Sequence, residues 1–358
     1  MTGGPRDGRG VASTGGPSED RGVARKRDHL RIALGDADVG FTGLTTGLDE
    51  VRVRARALPG HDLADVDISV DLWGRRLAAP LLVSCMTGGV TESGPVNRSL
   101  AVAAQEHGVA LGLGSGRVLL EGAADPGTFR VRDAAPDVLL LANLGAVQLH
   151  AYGPDDCARL VDACQADALV LHLNAVQEAV QPGGDTVFGG LLALIADVCA
   201  RLDQPVVVKE VGFGMAPEDV AALAGAGVAG VDVAGAGGTN WARVEGLRDG
   251  RAGEIAAAFG DWGWPTARCV RYAREVLDAA GSPAQLIGSG GLRHGVDALK
   301  VLCLGADLAG VARGLLAAGA EGPAAASRAV GALVAQLRVG AWAAGARTVG
   351  DLGPALLE

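Results

Sequence analysis

The fold is constrained most strongly by an alternation of short apolar runs with Ala- and Leu-rich segments. Eight runs have the composition of buried β-strands, at residues 80–85, 109–114, 138–143, 168–173, 205–210, 229–235, 285–290 and 307–312. Segments with helical spacing of apolar residues lie between them, and such βαβ alternation builds a parallel sheet. Eight units predict an α/β fold, a (β/α)8 TIM barrel with an N-terminal extension, for which about 250 residues is typical. A doubly wound sheet is the alternative, but it more often has about six strands and a dinucleotide fingerprint after the first.

Composition argues against several classes of function. The formal net charge of −10, with no basic stripe, argues against general nucleic-acid binding. No apolar run reaches the roughly 18 residues that span a bilayer, and no signal-like segment opens the chain, so a cytoplasmic location without membrane contact is expected. Six cysteines without a CxxC pair or zinc spacing make structural disulfides and zinc sites unexpected.

The N-terminal region divides into a polar tail and a basic segment. Residues 1–22, rich in Gly, Ser, Pro and Asp, are predicted to be a disordered tail, and residues 23–358 a single domain. A short helix is predicted over 23–34, and an irregular connection over 42–74. The helix carries the basic cluster Arg25, Lys26, Arg27 and Arg31. Such a cluster is usually a solvated surface, and the alternative is an arm that delivers cations to an anionic ligand.

Polar or glycine-rich residues follow nearly every predicted strand. In a barrel the carboxyl ends of the strands meet at one rim, where active sites lie. The fourth strand shows the change most clearly, because the apolar run ALVLHL passes within a few residues into Asn174, Gln177 and Glu178. His172 ends that strand, and it is either a core histidine or a member of the site. Glu178 is suited to hold a hard metal such as magnesium together with ligand phosphate oxygens.

The last two predicted units carry the clearest cofactor signal. Gly290 and Gly291 follow the seventh strand, and Ala312 and Arg313 follow the eighth. Glycines let backbone N–H groups approach a phosphate, and a helix start adds partial positive charge. Barrels commonly bind phosphate after these two strands. A simple tight turn is the alternative for an isolated Gly-Gly pair.

Lys209 ends the apolar run VVVKE, so its ammonium is expected inside the barrel mouth. There it suits a flavin ring nitrogen, a carbonyl or a Schiff base. An internal salt bridge to Glu210 or Asp232 is the alternative. Neutral donors and acceptors at the same rim match a flat cofactor with several carbonyls; they are Thr87, Ser115, Asn143 and Thr239.

These segments resemble the type 2 isopentenyl-diphosphate delta-isomerases, an FMN-dependent family, over roughly residues 24–352. The similar segments are RKRDHL at 25, MTGG at 86, GSGR at 114, NLG at 143, HLNAVQE at 172, VKEVGFGM at 208, DVAGAGGTNWARVE at 232, SGGLRHGVDALK at 289 and GARTVGDL at 345. The HLNxxQE and KEVGFGM segments are specific to that family. The SGGLRxGxDxxK segment is common to many FMN-binding barrels.

The resemblance implies a reaction and its residues. The reaction is a 1,3-proton shift between isopentenyl and dimethylallyl diphosphate, with reduced FMN, Mg²⁺, and NADPH only as the flavin reductant. The residues implied to hold FMN are Met86, Thr87, Gly88, Ser115, Asn143, Lys209, Thr239, Gly290, Gly291, Ala312 and Arg313. Those implied to meet the substrate are Arg25, Lys26, Arg117, His172, Asn174 and Gln177, with Gln177 catalytic and Glu178 binding magnesium. A homotetramer or larger homo-oligomer is also implied.

Two positions depart from the family pattern. Gly116 stands where members usually carry Gln, and Pro182-Gly183-Gly184 stands where they usually carry Pro-Glu-Gly. These changes are expected to loosen substrate or metal binding and to leave the FMN site intact. Two alternative functions are considered. One is an FMN-dependent 2-hydroxy-acid oxidoreductase, which shares the SGGLRxGxDxxK segment and whose base would have to be His294. The other is a flavin-binding homologue without isomerase activity, which the two departures would favour.

Overall fold

The computed structural model describes residues 18–123 and 125–358, and its centre is a closed barrel of eight parallel strands. The strands of the structure are β1 Val70–Leu72, β2 Arg75–Leu77, β3 Leu81–Val83, β4 Ala110–Gly112, β5 Leu140–Gly145, β6 Ala168–Leu173, β7 Val206–Glu210, β8 Gly230–Asp232, β9 Gln285–Ser289 and β10 Leu308–Val311. Strands β3 to β10 pair in chain order, and β10 closes the barrel on β3. The predicted TIM barrel is therefore confirmed, and each predicted run overlaps one of its strands.

Helices surround the barrel and cross its carboxyl end. They are α1 Ser18–Leu34, α2 Ser93–His107, α3 Arg117–Leu120, α4 Pro154–Cys164, α5 Ala175–Val180, α6 Leu191–Arg201, α7 Pro217–Gly225, α8 Trp241–Arg248, α9 Gly250–Ala257, α10 Thr266–Ala279, α11 Gly295–Cys303, α12 Arg313–Glu321 and α13 Pro323–Ala343. In the described ranges, none of these helices combines the length and apolarity that a membrane crossing requires.

A hairpin closes the amino-terminal end of the barrel. Strands β1 and β2 pair antiparallel through the two-residue turn Trp73-Gly74, and both turn residues have positive φ, as a type I′ turn requires. Leu72 and Leu77 are buried against interior residues of the barrel strands. The connection predicted to be irregular thus ends in a strand that plugs the barrel.

The barrel interior changes from apolar to polar along the strands. Leu141, Val170 and Val207 belong to one buried cluster inside the barrel. Side chains two positions further on point the same way, because a strand has a period of two. Asn143, His172 and Lys209 occupy those positions, so the strands bring polar groups together at the carboxyl end.

The first helix begins earlier than predicted. Helix α1 starts at Ser18 rather than residue 23, so residues 18–22 of the predicted tail are helical, and residues 1–17 lie outside the described ranges. Helix ends are weakly specified by local sequence, which is why this boundary was missed. Helix α1 packs on α8 and α12 across the barrel mouth.

Candidate active site

One cavity of about 1330 Å³ opens at the carboxyl ends of the strands. Single small-molecule sites usually measure about 300–1,000 Å³, so this volume accommodates two ligands side by side. Every residue assigned to a site from the sequence lines it: Arg25 and Lys26 of α1; Met86, Thr87, Gly88, Ser115 and Arg117 after β3 and β4; Asn143; His172, Asn174, Gln177 and Glu178; Lys209; Thr239; Gly290, Gly291, Ala312 and Arg313.

Glycines let the loops after β8 and β9 pack backbone against backbone on one side of the cavity. Gly290 has φ +107°, and a Cβ there would overlap the carbonyl oxygen of Gly235. A Cβ on Gly238 would lie 2.6 Å from the amide nitrogen of Gly291. Helix α12 begins directly after β10, so its first N–H groups open toward the same place. Backbone amides and a helix start are the elements of a phosphate site.

His172 is held as a neutral imidazole. Its Nδ1 lies 2.8 Å from Asn143 Oδ1, so the hydrogen-bond network assigns the proton to Nδ1 and leaves Nε2 as an acceptor. Burial, reinforced by the charges of Lys209 and Lys26, lowers the pKa of His172 to about 3. The sequence left two roles open for His172, a core histidine or a member of the site. The structure places its side chain on the cavity wall, which favours the second role.

Lys209 is buried beneath the cavity without a bond to the Glu210 carboxylate. Its Nζ donates to the Glu210 carbonyl oxygen at 2.5 Å. The Glu210 carboxylate turns away and accepts three backbone N–H bonds, each 2.6 Å long, from residues 211–213. The alternative of a side-chain salt bridge to Glu210 is therefore wrong, because backbone N–H groups hold that carboxylate.

Asp232 is a second buried ionisable group near Lys209. Ser289 Oγ donates to Asp232 Oδ1 at 2.6 Å, while Oδ2 has no hydrogen-bond partner among the described residues. Burial raises the pKa of Asp232, and the charge of Lys209, its register partner on the neighbouring strand, offsets part of that rise. The cavity floor thus places a lysine and an aspartate on neighbouring strands.

The loop after β6 and helix α5 fix an amide and a carboxylate at the cavity wall. Asn174 Nδ2 donates to Glu178 Oε1 at 2.9 Å and to Gln177 Oε1 at 3.2 Å. Glu178 Oε2 accepts from Gln181 Nε2 at 3.0 Å and from the Asp185 amide at 2.8 Å. Asn174 Oδ1 is buried and has no partner among the residues that the structure describes. The site therefore has an unused acceptor beside Glu178.

Glu245 of α8 was not identified from the sequence. It is fully buried, and its Oε1 accepts from Gln177 Nε2 at 2.9 Å and pairs with His29 Nε2 at 2.7 Å. Arg248 NH1 donates to its other oxygen at 2.6 Å. Burial opposes ionisation, but these bonds outweigh it and lower the pKa of Glu245 to about 2. His29 and Glu245 lie inside the RKRDHL and NWARVE segments, but only the docking of α1 on α8 makes them partners.

The basic cluster of α1 divides between the cavity and the solvent. Lys26 Nζ donates to the carbonyl oxygens of Gly88 at 3.0 Å and Ser115 at 2.6 Å. Burial, with the repulsion of Arg25, lowers the pKa of Lys26 to about 7. Arg27 and Arg31 have side chains 56% and 71% exposed. The geometry favours the arm that delivers cations, through Arg25 and Lys26 alone.

The two departures from the family pattern have different surroundings. A Cβ on Gly116 would lie 2.5 Å from Leu160 Cδ1, so a leucine already fills the space of a larger residue, and position 116 does not line the cavity. Gly183 lines the cavity with φ +69° and nothing within 4 Å of a Cβ. Only the second departure leaves open space in the site.

Glu178 could serve as one ligand of a metal ion at this site. Within the described residues, no three His, Cys, Asp or Glu side chains are grouped to hold an ion. Glu178 lines the cavity, so a magnesium ion there would complete its shell with water and phosphate oxygens.

His294, which a hydroxy-acid oxidase would need as its base, instead caps α11, where its Nδ1 accepts from the Asp297 amide at 3.1 Å.

Known structures share this architecture at low sequence identity. A flavocytochrome b2 variant with sulfite bound aligns over 96% of this chain and 88% of its own, with a TM-score of 0.66 and 19% identity. A mandelate oxidase variant aligns over 96% and 99%, with a TM-score of 0.63 and 22% identity. These similarities show the fold alone. The FMN-dependent dehydrogenase family matches residues 191–358, which include the Gly290-Gly291 loop and the start of α12.

Similarity to curated proteins extends over nearly the whole chain. The isopentenyl-diphosphate delta-isomerase of Synechococcus sp. is 47% identical over 331 residues, 89% of this chain and 93% of that protein. The proteins of the same name from Nostoc sp. and Mycobacterium marinum are 46% and 42% identical, over 88% and 92% of this chain and 89% and 95% of their own. This chain therefore belongs to the type 2 isopentenyl-diphosphate delta-isomerase family, whose members are FMN-dependent.

Proposed function

We propose that the chain interconverts isopentenyl diphosphate and dimethylallyl diphosphate by a 1,3-proton shift, with reduced FMN and Mg²⁺ bound. One observation carries the proposal. A glycine-built phosphate cradle, a set of cations and the Gln177–Glu178 pair all face a single cavity with room for a cofactor and a substrate. The names of the relatives support the same reaction.

The residues present fit FMN. The glycine loops and the start of α12 would take its phosphate, and Asn143 and Thr239 offer neutral polar groups to the ring. Ser84 Oγ lines the cavity, is buried and has no partner in the described part of the chain, so it can bond a ligand. The cation of Lys209 suits the negative charge of a reduced flavin. When bound, reduced FMN supplies the acid/base or electrostatic partner of the shift, and NADPH is proposed only as its reductant.

The diphosphate is proposed to bind between α1 and the β4 loop. Arg25, Lys26 and Arg117 line that part of the cavity. A protein with a net charge of −10 repels anions on average, so local cations are needed to bind a diphosphate. Glu178 would hold Mg²⁺ jointly with the phosphate oxygens.

Gln177 is proposed to act beside the reacting carbons. An amide is a weak base, so we expect the orientation of the Gln177 side chain to matter more than its basicity. Its Nε2 donates to Glu245, and its Oε1 accepts from Asn174. His172, neutral at physiological pH, would bond the substrate and move no proton through its own ionisation.

The test compares flavin content with turnover. Purified protein should show a flavin spectrum and, with reduced FMN and Mg²⁺, convert isopentenyl diphosphate. Gln177→Ala should keep its flavin and lose activity by roughly a hundredfold or more. A protein that binds no flavin refutes the whole proposal. A flavin-bound wild type without turnover would identify a homologue that has lost the activity, and a normal rate for Gln177→Ala would remove this residue from the mechanism.

A further inference from the structure

Helix α1 is connected to the helix that supports Gln177. His29 of α1 reaches Glu245 of α8 at 2.7 Å, and its ring meets Trp241 edge-on with centroids 5.4 Å apart. A second link joins Asp28 to Arg248 Nε at 3.6 Å. Trp241, Glu245 and Arg248 all belong to α8. Helix α8 is therefore one of the elements on which α1 docks, and these side-chain contacts join the two helices.

The same carboxylate oxygen serves both partners. Glu245 Oε1 pairs with His29 Nε2 and accepts from Gln177 Nε2, and the Glu245 side chain has no exposed surface. Water cannot easily replace a donor lost from a buried carboxylate, so removing one donor destabilises the arrangement of the rest. The orientation of Gln177 thereby depends on a group that α1 provides.

We propose that His29 is a positioning residue for Gln177: docked on α8 by α1, it fixes the Glu245 carboxylate, and that carboxylate fixes the Gln177 amide. The inference rests on the proposed function and extends it. Helix α1 also carries Arg25 and Lys26, which face the diphosphate end of the cavity. A diphosphate bound by those cations holds α1 in place. Binding of the diphosphate at its end of the cavity therefore orients the Gln177 amide at the other.

Kinetics separate this role from simple support of the fold. His29→Ala should lower kcat by roughly tenfold to a hundredfold, as expected for a misplaced reacting group, with a smaller change in KM. His29→Gln keeps an N–H donor and should recover part of the rate. The matched control is Arg27→Ala, two residues away on α1, which removes only an exposed ion pair with Glu92 and should leave kcat unchanged.

A double variant tests whether the effect passes through Glu245. If His29 acts through that carboxylate, His29→Ala should change kcat little in the Glu245→Gln background. Independent, multiplicative losses would overturn the proposal. So would a wild-type kcat in His29→Ala.

Hydrogen exchange of the FMN-bound enzyme supplies a readout that needs no turnover. His29→Ala should speed amide exchange in α5, the helix of Gln177, and Arg27→Ala should not. Unchanged exchange in α5 overturns the coupling. Absence of turnover in the wild type would instead refute the proposed function, while the exchange result would still decide whether α1 and Gln177 are connected.

Discussion

At the scale of single residues, surroundings decide what each polar group in the cavity can do. His29 and His172 both line it, but His29 pairs with the buried carboxylate of Glu245, and His172 bonds a neutral amide near two lysines. Lys26 is partly buried against carbonyl oxygens rather than carboxylates. His172 and Lys26, whose pKa values are both lowered, therefore give the protein a measurable dependence on pH.

The buried neutral His172 should make the protein less stable in mild acid. Its pKa falls from 6.5 in the unfolded chain to about 3 in the fold, so its contribution is complete above pH 6.5 and is lost as pH falls toward 3. Between pH 7 and pH 5 this residue should cost about 2 kcal/mol of unfolding free energy. Urea unfolding of substrate-free wild type and His172→Gln at both pH values measures it. The variant should lose less stability, the exposed control His150→Gln should match wild type, and equal losses in all three would contradict the assignment.

Lys26 should take up a proton when an anion binds. Its pKa of about 7 leaves it largely neutral at pH 8, and a bound diphosphate would raise that pKa again. Calorimetry of inorganic pyrophosphate binding at pH 8, in buffers of different ionisation enthalpy, counts the protons. Wild type should take up roughly one more proton than Lys26→Arg, whose guanidinium stays charged. Equal uptake by the two proteins would show that Lys26 does not contact the anion.

At the scale of elements, the site is a property of loops that strands hold together. The Gly290 loop and the start of α12 meet because β9 and β10 are neighbours in the barrel. Helices α5 and α8 meet through Gln177 and Glu245. Two sets of substitutions test how these elements fit together. The first changes the Gly290 loop, and the second changes the contact between Gly116, in the loop after β4, and Leu160 of α4.

Gly290→Ala should weaken FMN binding by about tenfold or more. A left-handed backbone costs a non-glycine residue about 1–2 kcal/mol, and here the new Cβ also overlaps the Gly235 carbonyl. Gly227→Ala is the matched control, because its φ of +80° imposes the same strain with nothing within 4 Å of the Cβ. Fluorescence titration with FMN should show loss for the first variant alone. Equal affinities would remove Gly290 from the cofactor site.

Gly116 and Leu160 should behave as a compensating pair. Gly116→Ala should cost about 1–3 kcal/mol by overpacking against Leu160, and Leu160→Ala about 2–5 kcal/mol by opening a cavity. The double variant should lose less than the two single losses added together, because the new methyl group enters the space that the leucine leaves. Denaturant unfolding of all four proteins measures the difference, and simple additivity would show that the two positions are independent.

Much of the fold was predictable from the sequence because apolar runs alternate with helical segments, and this alternation builds a parallel sheet. The rule that polar residues at strand ends gather on one rim brought the predicted residues of the strand ends into one cavity, which Arg25 and Lys26 of α1 also line. Strand β5 lies two residues beyond its predicted start, since the run VLLLAN is apolar throughout and marks no boundary. His29 and Glu245 were missed because α1 and α8 meet only in the folded chain, more than two hundred residues apart in sequence.

At the scale of the whole molecule, a common barrel carries a specific site. Flavocytochrome b2 and mandelate oxidase share the architecture at 19% and 22% identity, so the fold alone does not decide the reaction. The protein as a whole has a formal net charge of −10, while Arg25, Lys26 and Arg117 lie together at one end of the cavity. We predict a single domain over residues 23–358 and a homotetramer or larger homo-oligomer, which limited proteolysis and light scattering would test.

The most direct test of the central claim is product formation without net electron transfer. Holoenzyme with pre-reduced flavin, Mg²⁺ and isopentenyl diphosphate in anaerobic D2O would be followed by NMR and by the flavin spectrum. We predict that dimethylallyl diphosphate forms with deuterium incorporated and that the flavin stays reduced over many turnovers. Oxidation of one flavin per product, or a reduced and loaded enzyme that forms no product, would contradict the account.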